Sequence, residues 1–354
     1  MRLDEFNYNL PEVLIAQYPV DKRNESRLLV VNKKNGKIEH KTFNDILDFM
    51  KEGDVLVVNN TRVIPARLLG KKETGGSVEV LILRKNNPSD AEREGESNVW
   101  ECLAKSSKKL KQGARIHFHE RLEGEVIEGG SNGKCIIQFY PDEDFGDILD
   151  NIGTMPLPPY IKRNGSAGDR QIDRERYQTV FARNKGAIAA PTAGFHFTNE
   201  LISKIREKGV KIAPVTVHIG LGTFMPIRVE DIEDHKLEAE YFEIDGKTAR
   251  LINETITAGN RVVAVGTSAT RALEFAVDED GRVRPGSGYT NLFIYHGYKF
   301  KIVNALITNF HQPKSTPLLL VSAFAGKALI QDVYQKAIKE NYRFLSYGDG
   351  MMLF

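Results

Sequence analysis

Apolar and polar positions along this chain of 354 residues change their period twice. Residues 43–67 read as a short helix, a turn at Gly53-Asp54, and the unbroken apolar run Val55-Leu56-Val57-Val58, which opens onto Asn59-Asn60-Thr61-Arg62. A buried strand ending on a polar corner is where α/β proteins place ligand contacts. From about residue 68 to 153 the pattern turns into short alternating runs, at 77–83, 100–104, 114–118 and 134–140, separated by turns rich in Gly, Asn and Lys. That predicts an all-β module, a small barrel. Beyond the link Met155-Pro156-Leu157-Pro158-Pro159, strand and helix alternate again. Strands are expected at 210–218, 261–265 and 305–308, and helices at 199–208, 247–258, 269–277, 318–326 and 329–340. Thr198 is placed to cap the helix that stops at Gly209. The expected fold class is α/β: a mixed-sheet domain made of residues 1–66 and 154–354, with a barrel-like domain at 67–153 inserted.

Polar corners recur. The run from Ala189 to Thr198 packs Pro191, Thr192, Gly194, His196 and Phe197 into one turn, where small residues let a ligand reach main-chain N–H groups. A tight turn around a packed histidine is the plain alternative. The same apolar-then-polar change marks Asn60-Thr61-Arg62, residues 218–223, Gly266-Thr267-Ser268, residues 309–311 and Tyr347-Gly348-Asp349. Six such corners predict a shared crevice at the strand ends. Neither Gly-x-Gly-x-x-Gly, Gly-x-Ser-x-Gly, His-Glu-x-x-His nor a phosphate loop occurs, which argues against dinucleotide, serine hydrolase, zincin and nucleoside triphosphatase chemistry.

Composition narrows the setting. Hydrophobic residues make up 41% and charged residues 27%, the balance of an ordinary globular chain. The only cysteines, Cys102 and Cys135, lack metal-ligand spacing, and neither a signal peptide nor a membrane span is expected, so the reading is a cytoplasmic protein with no metal. A net charge of +2 implies no polyanion partner by itself. Local charge is more telling: Lys105, Lys108, Lys109 and Lys111 form one basic cluster, and Lys162, Arg163, Arg170, Arg174 and Arg176 form another, laced with Tyr160 and Tyr177. A solvated face explains the first as readily as RNA does. The second suits phosphate and base stacking.

These residues carry a family resemblance. Tyr8-Asn9-Leu10-Pro11, residues 59–67, Met155 to Lys162, Glu175-Arg176-Tyr177-Gln178-Thr179, Ala190 to Thr198, residues 218–224, residues 306–316 and Tyr342-Arg343-Phe344 resemble, in order and end to end, the S-adenosylmethionine:tRNA ribosyltransferase-isomerases of queuosine biosynthesis. The resemblance implies transfer and isomerisation of the ribosyl part of S-adenosylmethionine onto 7-aminomethyl-7-deazaguanine at the tRNA wobble position, giving epoxyqueuosine-tRNA, adenine and methionine. S-adenosylmethionine is then a co-substrate, no prosthetic group is needed, and the partner is tRNA carrying the modified base, bound by a monomer. A non-catalytic RNA-binding protein and an S-adenosylmethionine-dependent RNA methyltransferase are the alternatives.

Such chemistry needs a base for a proton beside the sulfonium, a donor that helps adenine leave, and exclusion of water. His196, His218, His311 and Asp349 are the catalytic candidates. Asn60, Arg62, Tyr160, Lys162, Arg163, Arg176, Tyr177, Thr192, Gly194 and Phe197 are expected at the substrate. So are Gly222, Thr223, Thr267, Ser268, Arg271 and Asn309, while Lys105, Lys108, Lys109 and Lys111 are expected on tRNA. The family's usual His-Lys-Met-His is here His235-Lys236-Leu237-Glu238, which replaces a possible base by an anion at Glu238.

Overall fold

The computed structural model describes residues 1–85, 98–220, 222 and 227–354. They form two compact units, one of Met1–Arg62, Pro158–Asn164 and Glu175–Phe354, the other of Val63–Leu157 and Gly165–Arg174. In chain order the strands begin with β1 (Arg27–Val31), β2 (Ile38–Thr42), β3 (Val55–Asn59) and β4 (Thr61–Val63). Then come β5 (Arg67–Lys72), β6 (Ser77–Lys85), β7 (Asn98–Ser106), β8 (Arg115–His119), β9 (Leu122–Gly129) and β10 (Lys134–Pro141), followed by helices α1 (Phe145–Ile152) and α2 (Ala167–Arg176). The rest of the chain gives β11 (Asn184–Ala187), α3 (Asn199–Glu207), β12 (Lys211–His218), β13 (Glu240–Ile244), α4 (Gly246–Thr257) and β14 (Val262–Val265). It ends with α5 (Thr267–Ala276), β15 (Gly286–Thr290), β16 (Val303–Asn309), α6 (Thr316–Ala325), α7 (Lys327–Lys339) and β17 (Gly350–Leu353).

The larger unit is built on a mixed nine-stranded sheet in the order β15-β13-β12-β3-β14-β16-β17-β1-β2. Its four middle strands, β12, β3, β14 and β16, are parallel. β3 and β14 carry the unbroken apolar runs 55–58 and 262–265 because both faces are covered there. Val55, Val57, Val262, Ala264 and Leu306 face one apolar layer with α4 to α7, and Leu56, Val58, Val263, Val265 and Ile307 face the other with α3. The expected cap is present: Thr198 Oγ1 accepts from the Leu201 amide at 3.1 Å, and α3 gives way to Gly209 at φ +81°. Among the described residues no single helix is long and apolar enough to cross a membrane.

Parallel pairing brings the ends of β12, β3, β14 and β16 to one edge of the sheet. The antiparallel partner β17 begins there too, since Asn309 pairs with Gly350, and β1 lies parallel to β17 with Leu28 opposite Gly350. Ser26 and Asp349 therefore reach the same edge as Asn309. Strands β1, β2, β13, β15 and β17 were not legible in the pattern. β2 (Ile-Glu-His-Lys-Thr) and β15 (Gly-Ser-Gly-Tyr-Thr) are the polar edges of the sheet, and β17 is four residues at the chain's end.

The second unit holds a closed antiparallel barrel, β10-β7-β6-β5-β8-β9. The expected all-β module is thus a barrel, with two strands, β5 and β9, that periodicity did not show. Glycines break their pattern where strands come close: a Cβ on Gly70 would meet Phe118 at 2.7 Å and Ile116 at 2.8 Å, and one on Gly124 would meet Ile137 at 3.0 Å. Gly153, which ends α1, is tighter still. A Cβ there would lie 2.0 Å from the Pro65 carbonyl oxygen and 2.6 Å from that of Leu149, both main chain. Gly153→Ala should lower stability by about 1–3 kcal/mol, read as a lower urea midpoint, because neither carbonyl can retreat as a side chain would. A wild-type midpoint would contradict this packing.

Candidate active site

A cleft of about 690 Å³, mouth included, opens at the shared edge of the parallel strands. The turn Ala190-Pro191-Thr192-Ala193 forms one wall, Gly266-Thr267-Ser268 a second, Thr308 to Gln312 a third, and Tyr160 with Leu345 and Ser346 a fourth. The Gly266 backbone, at φ +89°, turns β14 into α5 and leaves the start of the helix without a side-chain cap.

Asn309 joins three of these walls. Its Oδ1 accepts from Thr192 Oγ1 at 3.1 Å, and its Nδ2 donates to the Leu345 carbonyl at 3.2 Å. A carbonyl only accepts, so the amide orientation is fixed. The second Nδ2 hydrogen faces His196 Nε2 at 3.3 Å, which makes Nε2 an acceptor and puts the proton on Nδ1, 2.7 Å from Ser26 Oγ. The ring is buried and stacked on Phe43 at 4.6 Å. Burial, with the charges of Arg23 and Arg343, pushes the His196 pKa down to about 3. The imidazole is neutral and lies behind the cleft wall.

His311 is in the wall itself. Its Nε2 is 2.8 Å from Thr308 Oγ1, its amide donates to Tyr334 Oη at 3.0 Å, and its carbonyl accepts from Tyr8 Oη. Nδ1 is left open. Burial pushes this pKa to about 3 as well. Tyr160, the other titratable side chain on the cleft, shares a hydrogen with Ser346 Oγ at 2.7 Å, and burial pushes it up to about 12.

The remaining expected residues divide. Thr192, Thr267, Ser268 and Asn309 line the cleft with Tyr160. His218 stands apart: Nδ1 meets Thr61 Oγ1 at 2.7 Å, the ring stacks on Tyr241, and burial lowers its pKa against the pull of Glu243. The Asp349 carboxylate accepts from the amides of Arg27 and Arg343 at 2.9 and 2.8 Å, and burial raises its pKa. Asn60 accepts from Thr216 Oγ1 at 2.8 Å, and Arg62 is exposed. Tyr177 and Phe197 are core residues, and the room beside Gly194 is taken by Thr179, whose Cγ2 would be 2.7 Å from an added Cβ, so the glycine serves packing there.

Arg271 forms a buried ion pair with Glu240, and Gly222 lies against Glu238, whose Cβ would be 3.3 Å from an added Cβ. Thr223 lies outside the described residues. Lys162 pairs with Glu12 at 2.6 Å, while Arg163 and Arg176 bond main-chain carbonyls. Lys105, Lys108, Lys109 and Lys111 are exposed, with no carboxylate partner among the described residues. Sequence reasoning missed Ser346, Gln312 and Ser315 on the cleft. Only their nearness to Tyr347 and His311 hinted at them.

The chain is similar to known proteins along its length. The family model described as "Queuosine biosynthesis protein" matches residues 3–353. An S-adenosylmethionine:tRNA ribosyltransferase-isomerase of Geotalea uraniireducens (strain Rf4) is 52% identical over 355 residues, covering 100% of both chains. The crystal structure of an S-adenosylmethionine tRNA ribosyltransferase from Thermotoga maritima is similar with a TM-score of 0.55 and 35% identity, over 99% of this chain and 100% of that one.

Buried His196 and partly exposed His311 set a pH dependence. Each is held near 3 in the fold against an ordinary 6.5, so each stabilises fully above pH 6.5 and loses that contribution as pH falls toward 3. Between pH 6.5 and 4.5 stability should drop by up to about 1.4 kcal/mol per pH unit for each ring. Urea midpoints across this range should fall steeply for the wild type and less steeply for His196→Gln. Equal slopes would mean that His196 is not the neutral, trapped ring described here.

Proposed function

The chain belongs to the queuosine biosynthesis protein family, and on that premise we propose that it is an S-adenosylmethionine:tRNA ribosyltransferase-isomerase. It transfers and isomerises the ribosyl part of S-adenosylmethionine onto 7-aminomethyl-7-deazaguanine at the wobble position, releasing adenine and methionine and leaving epoxyqueuosine in the tRNA. The observation that carries this reading is the cleft at the carboxyl ends of the parallel strands, lined by hydroxyls, helix-start amides and one imidazole with an open nitrogen.

The roles follow from those groups. Thr267, Ser268 and the amides after Gly266 meet the polar edge of the substrate. The Tyr160 ring face meets the sulfonium, a cation that aromatic faces attract. Thr308 accepts the Nε2 hydrogen of His311, which leaves the Nδ1 lone pair to take the proton beside the sulfur. His196 acts as a positioning residue, holding Asn309 so that Thr192 and the 345–346 loop keep their places. The exposed barrel lysines give tRNA a sequence-independent hold through its phosphates.

With tRNA bearing the modified base, adenine and methionine should appear in equal amounts. Release of S-adenosylhomocysteine would mean methyl transfer, and no release would mean binding alone. His311→Ala should lower turnover by about 100- to 10,000-fold while S-adenosylmethionine affinity changes little. Turnover within a few-fold of wild type would remove His311 as the base.

A further inference from the structure

Beside the cleft, Arg23, Arg163, Arg176 and Arg343 stand close to Tyr18 or Tyr347, and Arg27 follows next to Arg343 at Asp349. Arg23 donates to the carbonyls of Phe195 and Glu175 at 3.2 and 3.0 Å, and Arg176 to those of Asp21 and Val20 at 3.1 and 2.8 Å. Arg343 bonds the Tyr18 carbonyl, and Arg27 bonds that of Glu340 at 2.6 Å while lying 3.7 Å over the Tyr342 ring. Arg163 lies 4.5 Å from the centre of the Tyr18 ring and 5.9 Å from that of Tyr347. Among the described residues none of Arg23, Arg27, Arg176 or Arg343 is in an ion pair. The carboxylates nearby are Asp21 and Glu175, beside Arg176, and Asp349, which is committed to the amides of Arg27 and Arg343.

Main-chain carbonyls take two of the five guanidinium hydrogens of Arg23 and of Arg176, leave the charge whole, and leave Arg176 Nε without a partner. A loop clamp alone needs no such crowding of cations, and crowding has a cost: burial and the neighbouring Arg176 push Arg23 down to about 10. Half-buried, forked donors held in place by main chain suit phosphate. Tyr18, 45% exposed, offers a ring face beside them. The position is also informative, because Leu345 and Ser346 line the cleft immediately before Tyr347, and Tyr160 lines it three residues before Arg163.

We propose that Arg23, Arg163, Arg176 and Arg343 dock the phosphodiester backbone of the anticodon loop, with Tyr18 stacking on a base next to the one that enters the cleft. The proposal rests on the tRNA reading above and names the surface that reading needs.

The test is binding of an anticodon stem-loop RNA, without S-adenosylmethionine, as a function of salt. Arg23→Gln with Arg176→Gln should flatten the log–log salt slope by about 0.7 for each phosphate that is no longer neutralised, and the matching Lys pair should restore it. Tyr18→Leu should weaken binding about tenfold with the slope unchanged. Folded Gln variants with the wild-type slope, or Lys variants that fail to restore it, would overturn the docking surface. Should the pair not fold, Arg163→Gln read alone in the same assay decides the matter. Adenine release is measured separately: wild-type protein that binds the loop through these arginines yet releases no adenine would sink the ribosyl-transfer reading and support the surface.

Discussion

The side-chain amide of Asn309 ties together the turn at Thr192, the end of β16 and the loop at Leu345, and the cleft exists only while all three hold. Its orientation dictates the tautomer of His196, because a second amide hydrogen faces Nε2 and leaves that nitrogen only the acceptor role. Protonating the ring would set two donors against each other in a buried site. Burial and the charges of Arg23 and Arg343 keep that ring neutral, so the acceptor role at Nε2 persists.

The sheet supplies the frame in which that arrangement forms. Four parallel strands must end at one edge, and the open positions beyond their ends are where backbone amides lack strand partners. Antiparallel β17 and the parallel pairing of β1 with it add Asp349 and Ser26 to the same edge from the far end of the chain and from near its start. Ser26 Oγ then accepts the hydrogen bond of His196 Nδ1–H, so a residue remote in sequence braces the wall from behind. His311 and Tyr160 are the titratable side chains on the cleft, and each is held by a local hydroxyl.

Much of this was legible in the residues, and the exceptions have physical causes. The apolar run 55–58, the cap at Thr198 and the turn at Gly266 appear where the pattern put them, because each rests on local chemistry. Edge strands β2 and β15 carry too many polar residues for a period to show, and β5 and β9 are interrupted by the glycines that let strands approach. Within the site, the polar corners at Thr192, Gly266 and Asn309 do meet. The corners at Asn60 and His218 point into hydrogen bonds of their own, with Thr216 and Thr61, and no spacing rule distinguishes a corner that lines a cleft from one that braces its frame. His196 illustrates the difficulty most plainly. Its setting among small residues suggested ligand contact, but those residues pack it against Phe43 behind Asn309.

On the proposed function, S-adenosylmethionine occupies the cleft organised by Asn309. Crystals soaked with the selenium analogue, Se-adenosylselenomethionine, and measured at the selenium edge would locate the onium centre directly. An anomalous peak is expected within the cleft, between the Gly266 to Ser268 turn and Thr308 to His311, beside the Tyr160 ring. A fully occupied peak elsewhere, with this cleft empty, would contradict it.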